Sequence, residues 1–173
     1  MKTALIIIFL SFLTLTSVSQ YQKSISASLY AGGYFPNNGI NTGFNIGTDL
    51  EHITNKFGLY INFAFNFTKR DNFQGNISDN YGIMEIYAGP RWIIGNKQKL
   101  HGTVEAGIGS YSFYSDYLRA GSAFGLNIAA GISIPLSEKI NFNVKGRYHI
   151  LGKDYFTTYG SLYGGVRFYF MKN

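Results

Sequence analysis

Two sets of residues in this chain have the types and spacing to do chemistry. The first is the three histidines, His52, His101 and His149; the second is eight charged residues, Asp49, Glu51, Glu85, Arg91, Glu105, Lys145, Arg147 and Arg167, each an even number of positions from its neighbours within a segment. A metal centre would need the histidines to converge at bonding distance. Their segments place His52 and His101 near one end of the molecule and His149 near the other, so no metal is expected. With no Cys in the chain, thiolate sites and a disulfide framework are also excluded. His149, Asp154 and a hydroxyl such as Ser115 supply the base, orienting acid and nucleophile of an acyl-transfer triad. No Ser stands at a telling spacing from His149, and the plainer reading is a histidine at the mouth of a lumen. The expectation is a protein that is not an enzyme and holds no cofactor.

The elements carrying these residues share one signature. In "FGLYINFAFNF", Phe57, Leu59, Ile61, Phe63, Phe65 and Phe67 alternate with Gly58, Tyr60, Asn62, Ala64 and Asn66. A period of two means a strand with one apolar and one polar face. The same alternation recurs seven more times. Ile25, Ala27, Leu29 and Ala31 oppose Ser26, Ser28 and Tyr30, and Phe44, Ile46 and Leu50 oppose Asn45, Gly47, Asp49 and Glu51. Met84, Ile86, Ala88 and Trp92 oppose Glu85, Tyr87 and Arg91; Leu100, Val104, Ala106 and Ile108 oppose His101, Thr103, Glu105 and Gly107. Phe124 to Ile134 opposes Gly125, Asn127, Gly131 and Ser133; Phe142, Val144, Tyr148 and Ile150 oppose Asn141, Asn143, Lys145, Arg147 and His149; Leu162, Val166, Phe168 and Phe170 oppose Tyr163, Arg167 and Tyr169. All eight charges fall on the polar faces.

Which face looks inward follows from cost. Turning those charges toward lipid would cost about 2–4 kcal/mol for each Arg or Lys at mid-depth, somewhat less for the acids. Summed, that rivals a typical total stability of about 5–15 kcal/mol. A soluble barrel or sandwich with the apolar face inside would need a more charged exterior than a chain with only 14% charged residues provides. The prediction is an all-β, eight-stranded antiparallel up-and-down transmembrane barrel with phenylalanines toward lipid. Two aromatic girdles are expected: Phe57, Trp92, Phe142, Phe168 and Phe170 at one rim, Phe44, Phe65, Phe67, Phe124 and Tyr148 at the other. Thr54 to Lys56, Gly95 to Lys99 and Leu136 to Lys139 read as short turns. Arg70 to Asn80, Tyr114 to Arg119 and Gly152 to Phe156 read as exterior loops. Pro90 cannot donate to a ladder, and a local bulge is expected there.

Residues 1–19 read as a cleaved export signal: Lys2, then the apolar run Ala4 to Leu15, then small residues at Ser17 and Ser19. Residues 20–173 form the barrel domain. The basic excess that remains shows no basic cluster interleaved with aromatics, so no nucleic acid is expected. The inward charges are expected to form one ion-pair network with Tyr30, Tyr60, Tyr87, Tyr163 and Tyr169, acting as a plug or as a selective constriction.

With these features the chain resembles the small eight-stranded outer-membrane barrels of the OmpX, OmpW and OmpA-transmembrane type. The most specific piece is "YGGVRFYF", where Tyr163, Gly165, Phe168 and Phe170 look like the assembly signal of such proteins. Met171, Lys172 and Asn173 follow it, whereas the family usually ends on the aromatic. The resemblance implies insertion by the barrel-assembly machinery, outer-membrane lipids as surroundings, and a structural or surface-interaction role in a Gram-negative-type envelope. A narrow porin-like channel is the alternative, and a lipid A-modifying enzyme ranks behind it.

Overall fold

A computed structural model describes residues 23–37, 41–71, 78–115, 121–153 and 156–172. They form eight strands: β1 Lys23–Pro36, β2 Gly43–Thr54, β3 Phe57–Asp71, β4 Ser78–Ile94, β5 His101–Ser115, β6 Gly121–Pro135, β7 Ile140–Lys153 and β8 Phe156–Lys172. Each pairs antiparallel with its sequence neighbour and β8 pairs with β1, so the sheet closes into an up-and-down barrel. Closure leaves no edge strand unpaired, a condition that lipid imposes on any β structure crossing it.

The register sets the size of the interior. From Ser24, paired residues run through Ile53, Gly58, Arg91, Glu105, Ala129, Arg147 and Ser161 and return to β1 at Tyr34. The circuit from position 24 to position 34 is a stagger of ten residues, which for eight strands means a tilt of roughly 40° and an interior that side chains can fill.

Burial alternates as the sequence pattern requires, with the apolar face outside. Phe63, Phe65 and Phe67 are exposed while Tyr60, Asn62, Ala64 and Asn66 are buried, and the same parity holds along every strand. All ten girdle aromatics project outward, five toward each end, with Phe57 and Trp92 edge to face at 5.5 Å and Phe65 and Phe67 stacked. Among the described strand side chains outward charge is confined to Lys69, beyond Phe67 at the loop end.

Four expectations are corrected. Pro90 makes no bulge: the β4–β5 ladder skips Gly89 and Pro90 and resumes at Arg91 opposite Glu105 in unchanged register. A missing donor interrupts the pairing without requiring an extra residue. Register shifts occur instead between Ile25 and Ser26 against β8, and between Ile150 and Lys153. Within the expected loop Arg70 to Asn80 the described residues are strand, with Arg70 opposite Asp79 and Asp71 opposite Ser78. Likewise β5 runs to Ser115, β7 to Lys153, and β8 starts at Phe156. Polar residues continue the ladder because hydrogen-bonded pairing does not stop where the apolar band stops. Of the expected loops, 72–77, 116–119 and 154–155 lie outside the described residues, as does the expected signal segment.

The short connections are made by local chemistry. Asn55 takes a left-handed φ of 57° in the two-residue turn between β2 and β3, and Gly95 has φ 104° where β4 ends. Both are positions where a larger L-residue would be strained.

Candidate functional site: the barrel lumen

The inward faces bring together residues far apart in sequence. Arg91 lies at the centre of the half that carries the short turns. Its guanidinium reaches Asp49 at 3.0 Å, Glu51 at 2.5 Å and Glu105 at 2.6 Å, and it sits over the Tyr60 ring at 5.0 Å. Glu105 also pairs with Lys145 and, at 2.7 Å, with Arg147; Lys145 reaches Asp49 at 3.3 Å. Arg167 approaches Glu51 at 3.4 Å. Three carboxylates therefore face four cations, all buried. Such a cluster is expensive to desolvate and is retained only when its members satisfy one another.

Glu85 departs from the expected single network. It stands nearer the loop end, accepting from the Tyr159 hydroxyl at 2.5 Å and from the Asn66 amide, with His149 at 3.9 Å. His149 is buried deep in the lumen rather than at its mouth; its Nδ1 meets the Tyr111 hydroxyl at 3.1 Å and its ring stacks on Tyr159 at 4.2 Å. Glu85 and Arg91 share a strand, but six residues of extended chain, roughly 20 Å, set them at different depths. The supposed partner Asp154 lies outside the described residues, and His149 is enclosed by Tyr87, Tyr111 and Tyr159. His52 faces outward and is exposed, whereas His101 is buried with its Nδ1 2.8 Å from the Lys99 carbonyl. The histidines do not converge.

Between the two clusters lies an aromatic belt. Tyr30 stacks on Tyr163 at 4.3 Å, Arg147 lies over the Tyr87 and Tyr163 rings at 4.8 and 5.2 Å, and Asn62 bridges Tyr30 and Asp49. Inward glycines make the belt possible. A Cβ at Gly47 would collide with the Tyr30 hydroxyl, at Gly107 with the Tyr60 hydroxyl, at Gly125 with the Tyr111 ring and at Gly131 with the Lys145 stem. Each glycine is thus a socket for a large side chain from another strand. In the sequence these glycines lie on the polar face, where nothing local marks them as sockets. Nor does polarity mark the closure of the loop end by Ile83, Phe113, Ala123 and Leu151, all buried. The signal available was their parity, shared with the polar face.

At the opposite end a cavity of about 420 Å³ opens among Ser24, Lys97, Ser137, Asn141 and Tyr169. Behind it, both terminal nitrogens of Arg167 and the Thr103 hydroxyl have no hydrogen-bond partner within the protein. In the segment expected to act as an assembly signal, Tyr163 points into the lumen, Phe168 and Phe170 point outward, and Gly165 makes room for Tyr30.

No protein-family model and no curated protein matches the chain. Solved structures do. Neisserial surface protein A is 14% identical, with 84% of this chain and 96% of that one covered and a TM-score of 0.67. The N-terminal β-barrel domain of Pseudomonas aeruginosa OprF is 17% identical over 87% of this chain and 100% of that one, with a TM-score of 0.61. The outer membrane protein OprG of the same organism is 9% identical over 86% and 96%, also at 0.61. Closure of eight antiparallel strands, the inverted burial parity and these likenesses together give the chain the fold of the small eight-stranded outer-membrane barrels.

Proposed function

We propose that this chain is an integral outer-membrane barrel of a Gram-negative-type envelope, exported by a signal peptide at residues 1–19 and sealed along its lumen, with a structural or surface-interaction role. The observation that carries the reading is the fit of inward glycines to inward tyrosines and Lys145, around charges that are buried and mutually paired. A conducting pore needs a continuous wet path; this interior spends its volume on rings and ion pairs. The exterior loops carry any partner contact, because loops are the part of such a fold free to vary. Insertion by the barrel-assembly machinery through Tyr163, Gly165, Phe168 and Phe170, and an absence of catalysis, complete the reading. The short-turn end, which an even number of strands makes the side of both chain ends, faces the periplasm, because such barrels carry short periplasmic turns and longer exterior loops.

A narrow channel is the second reading, favoured by the cavity at the periplasmic end and the unsatisfied Arg167 fork behind it. Planar-bilayer recording of the refolded protein separates the two. The sealed barrel gives no stable openings; steady openings in every insertion would establish the channel. Spin labels at Ile61 and Ile128, both outward, should be reached by lipid-soluble quenchers. Shielding of both would overturn the membrane reading itself.

A further inference from the structure

The charges of this barrel are partitioned by depth. Without Lys2 the chain carries 14 basic and 9 acidic side chains, an excess of five. The lumen holds four of each sign, Asp49, Glu51, Glu85 and Glu105 against Arg91, Lys145, Arg147 and Arg167, and is neutral. At the loop end the sequence places Lys69, Arg70, Arg119 and Lys153 against Asp71, Asp79, Asp116 and Asp154, again neutral. The remaining residues all belong to the short-turn end: Lys23, Lys56, Lys97, Lys99, Lys139 and Lys172 against Glu138 alone. The whole excess sits on one rim.

Lysine position relative to the apolar band narrows the partner. Lys23 opens β1 and Lys172 closes β8, Lys56 lies in the β2–β3 turn, and Lys139 immediately precedes β7. Lys56, Lys99 and Lys139 are exposed. Lys56 is next to Phe57, which pairs across to Trp92, and both aromatics face outward just inside the rim. Aromatic girdles mark the depth of the lipid headgroups. The exposed Lys56, Lys99 and Lys139 stand a few residues beyond the girdle, so at about 3.3 Å per residue their ammonium groups come within reach of the phosphate layer.

We propose that the periplasmic rim is a basic collar that binds the headgroups of anionic phospholipids in the periplasmic leaflet, drawing them into the lipid shell around the barrel. The inference rests on the membrane-barrel reading above. Six cations around one circumference with a single acid favour a lipid of net negative charge over a zwitterionic one, because each cation near an anionic surface adds attraction that salt screens. The collar also anchors the barrel's depth and orientation, since the opposite rim is neutral.

The chain's single tryptophan, Trp92, is a built-in reporter at this rim. The full-length barrel is refolded into bilayers of equal parts phosphatidylcholine and phosphatidylglycerol, with brominated acyl chains on one lipid or the other, and Trp92 fluorescence is read. Greater quenching when phosphatidylglycerol carries the bromine is expected, corresponding to an apparent preference of roughly three- to tenfold. It should fall toward unity at high salt, and in the Lys56→Gln, Lys97→Gln, Lys99→Gln, Lys139→Gln variant. Equal quenching by both lipids in the wild-type barrel would overturn the collar while leaving the barrel in the membrane. A preference unaffected by salt in the wild type would overturn it equally. Absence of quenching by either lipid would instead sink the membrane reading on which the collar rests.

Discussion

Glu105 touches three cations, so its side chain decides more than its own pair. Glu105→Gln keeps the volume but leaves Arg91, Lys145 and Arg147 with only the partners that remain to them. Breaking a buried ion cluster from one side costs about 3–5 kcal/mol. Urea unfolding in lipid vesicles, read by the folded band on an unheated gel, should show a loss of that order. Adding Lys145→Met removes one surplus positive charge and should recover part of it; a double variant less stable than the sum of the singles would show that the cluster does not act through charge balance. Glycines supply the second residue-level test. A Cβ at Gly89 would strike the Ala106 carbonyl and Gly107, which are backbone and cannot swing away, whereas one at Gly146 meets only the Ser161 carbonyl at 4.0 Å on the outward face. Gly89→Ala should therefore destabilise by about 1–3 kcal/mol, and Gly146→Ala should stay within about 0.5 kcal/mol. Equal effects would mean that lumen packing is not what these glycines serve. At this scale the sequence revealed which residues face inward, through parity. It did not reveal who meets whom: Glu85 belongs with His149 and Tyr159 because of the stagger, which no single strand encodes.

Among the elements, β4 and β8 each carry a local irregularity with a measurable consequence. Pro90 keeps its pairing with Leu59 on β3 and loses the ladder to β5. Pro90→Val supplies the missing donor and a residue suited to the outward face, so the barrel should gain about 0.5–1.5 kcal/mol, the net worth of one hydrogen bond, and amide exchange at Gly89 and Gly107 should slow. Unchanged exchange would indicate that the interruption is fixed by the strand crossing and not by the imino acid. In β8, Phe168 and Phe170 face outward beside the shifted register with β1, at the seam that closes the sheet. If they are read during assembly, Phe168→Ala with Phe170→Ala should lower the yield of folded barrel in cells several-fold and leave refolding into pure lipid vesicles nearly unchanged. Equal loss in both settings would make them packing residues only. Strand identity was legible because alternation is local. Strand length was not, because Arg70, Asp71 and Ser78 read as loop by polarity, yet each has a partner across the ladder.

For the molecule as a whole, the sequence carried the direction of the fold through one comparison of costs, charges toward lipid against charges inside. It did not carry the way the interior is filled, since sockets and rings come from strands far apart in the chain. Gly32, Gly47 and Gly165 surround Tyr30 and Tyr163, while Tyr34 and Tyr159 continue the same column along β1 and β8 toward the loop end. That column runs through both the belt and the upper cluster, and it meets the ion cluster through Arg147 over the Tyr163 ring and through Asn62 between Tyr30 and Asp49. Replacing Tyr30, Tyr34, Tyr159 and Tyr163 together by Ala removes four rings beside residues that have no side chain to take their place. Water should then enter along the seam, because a polar space of that size, lined by Glu85, Asn62 and Ser161, wets readily. The folded variant should show small, stable conductance steps where the parent shows none, with the unheated gel band certifying the fold. A folded variant that stays closed would mean that the ion cluster, not the tyrosine column, is the seal.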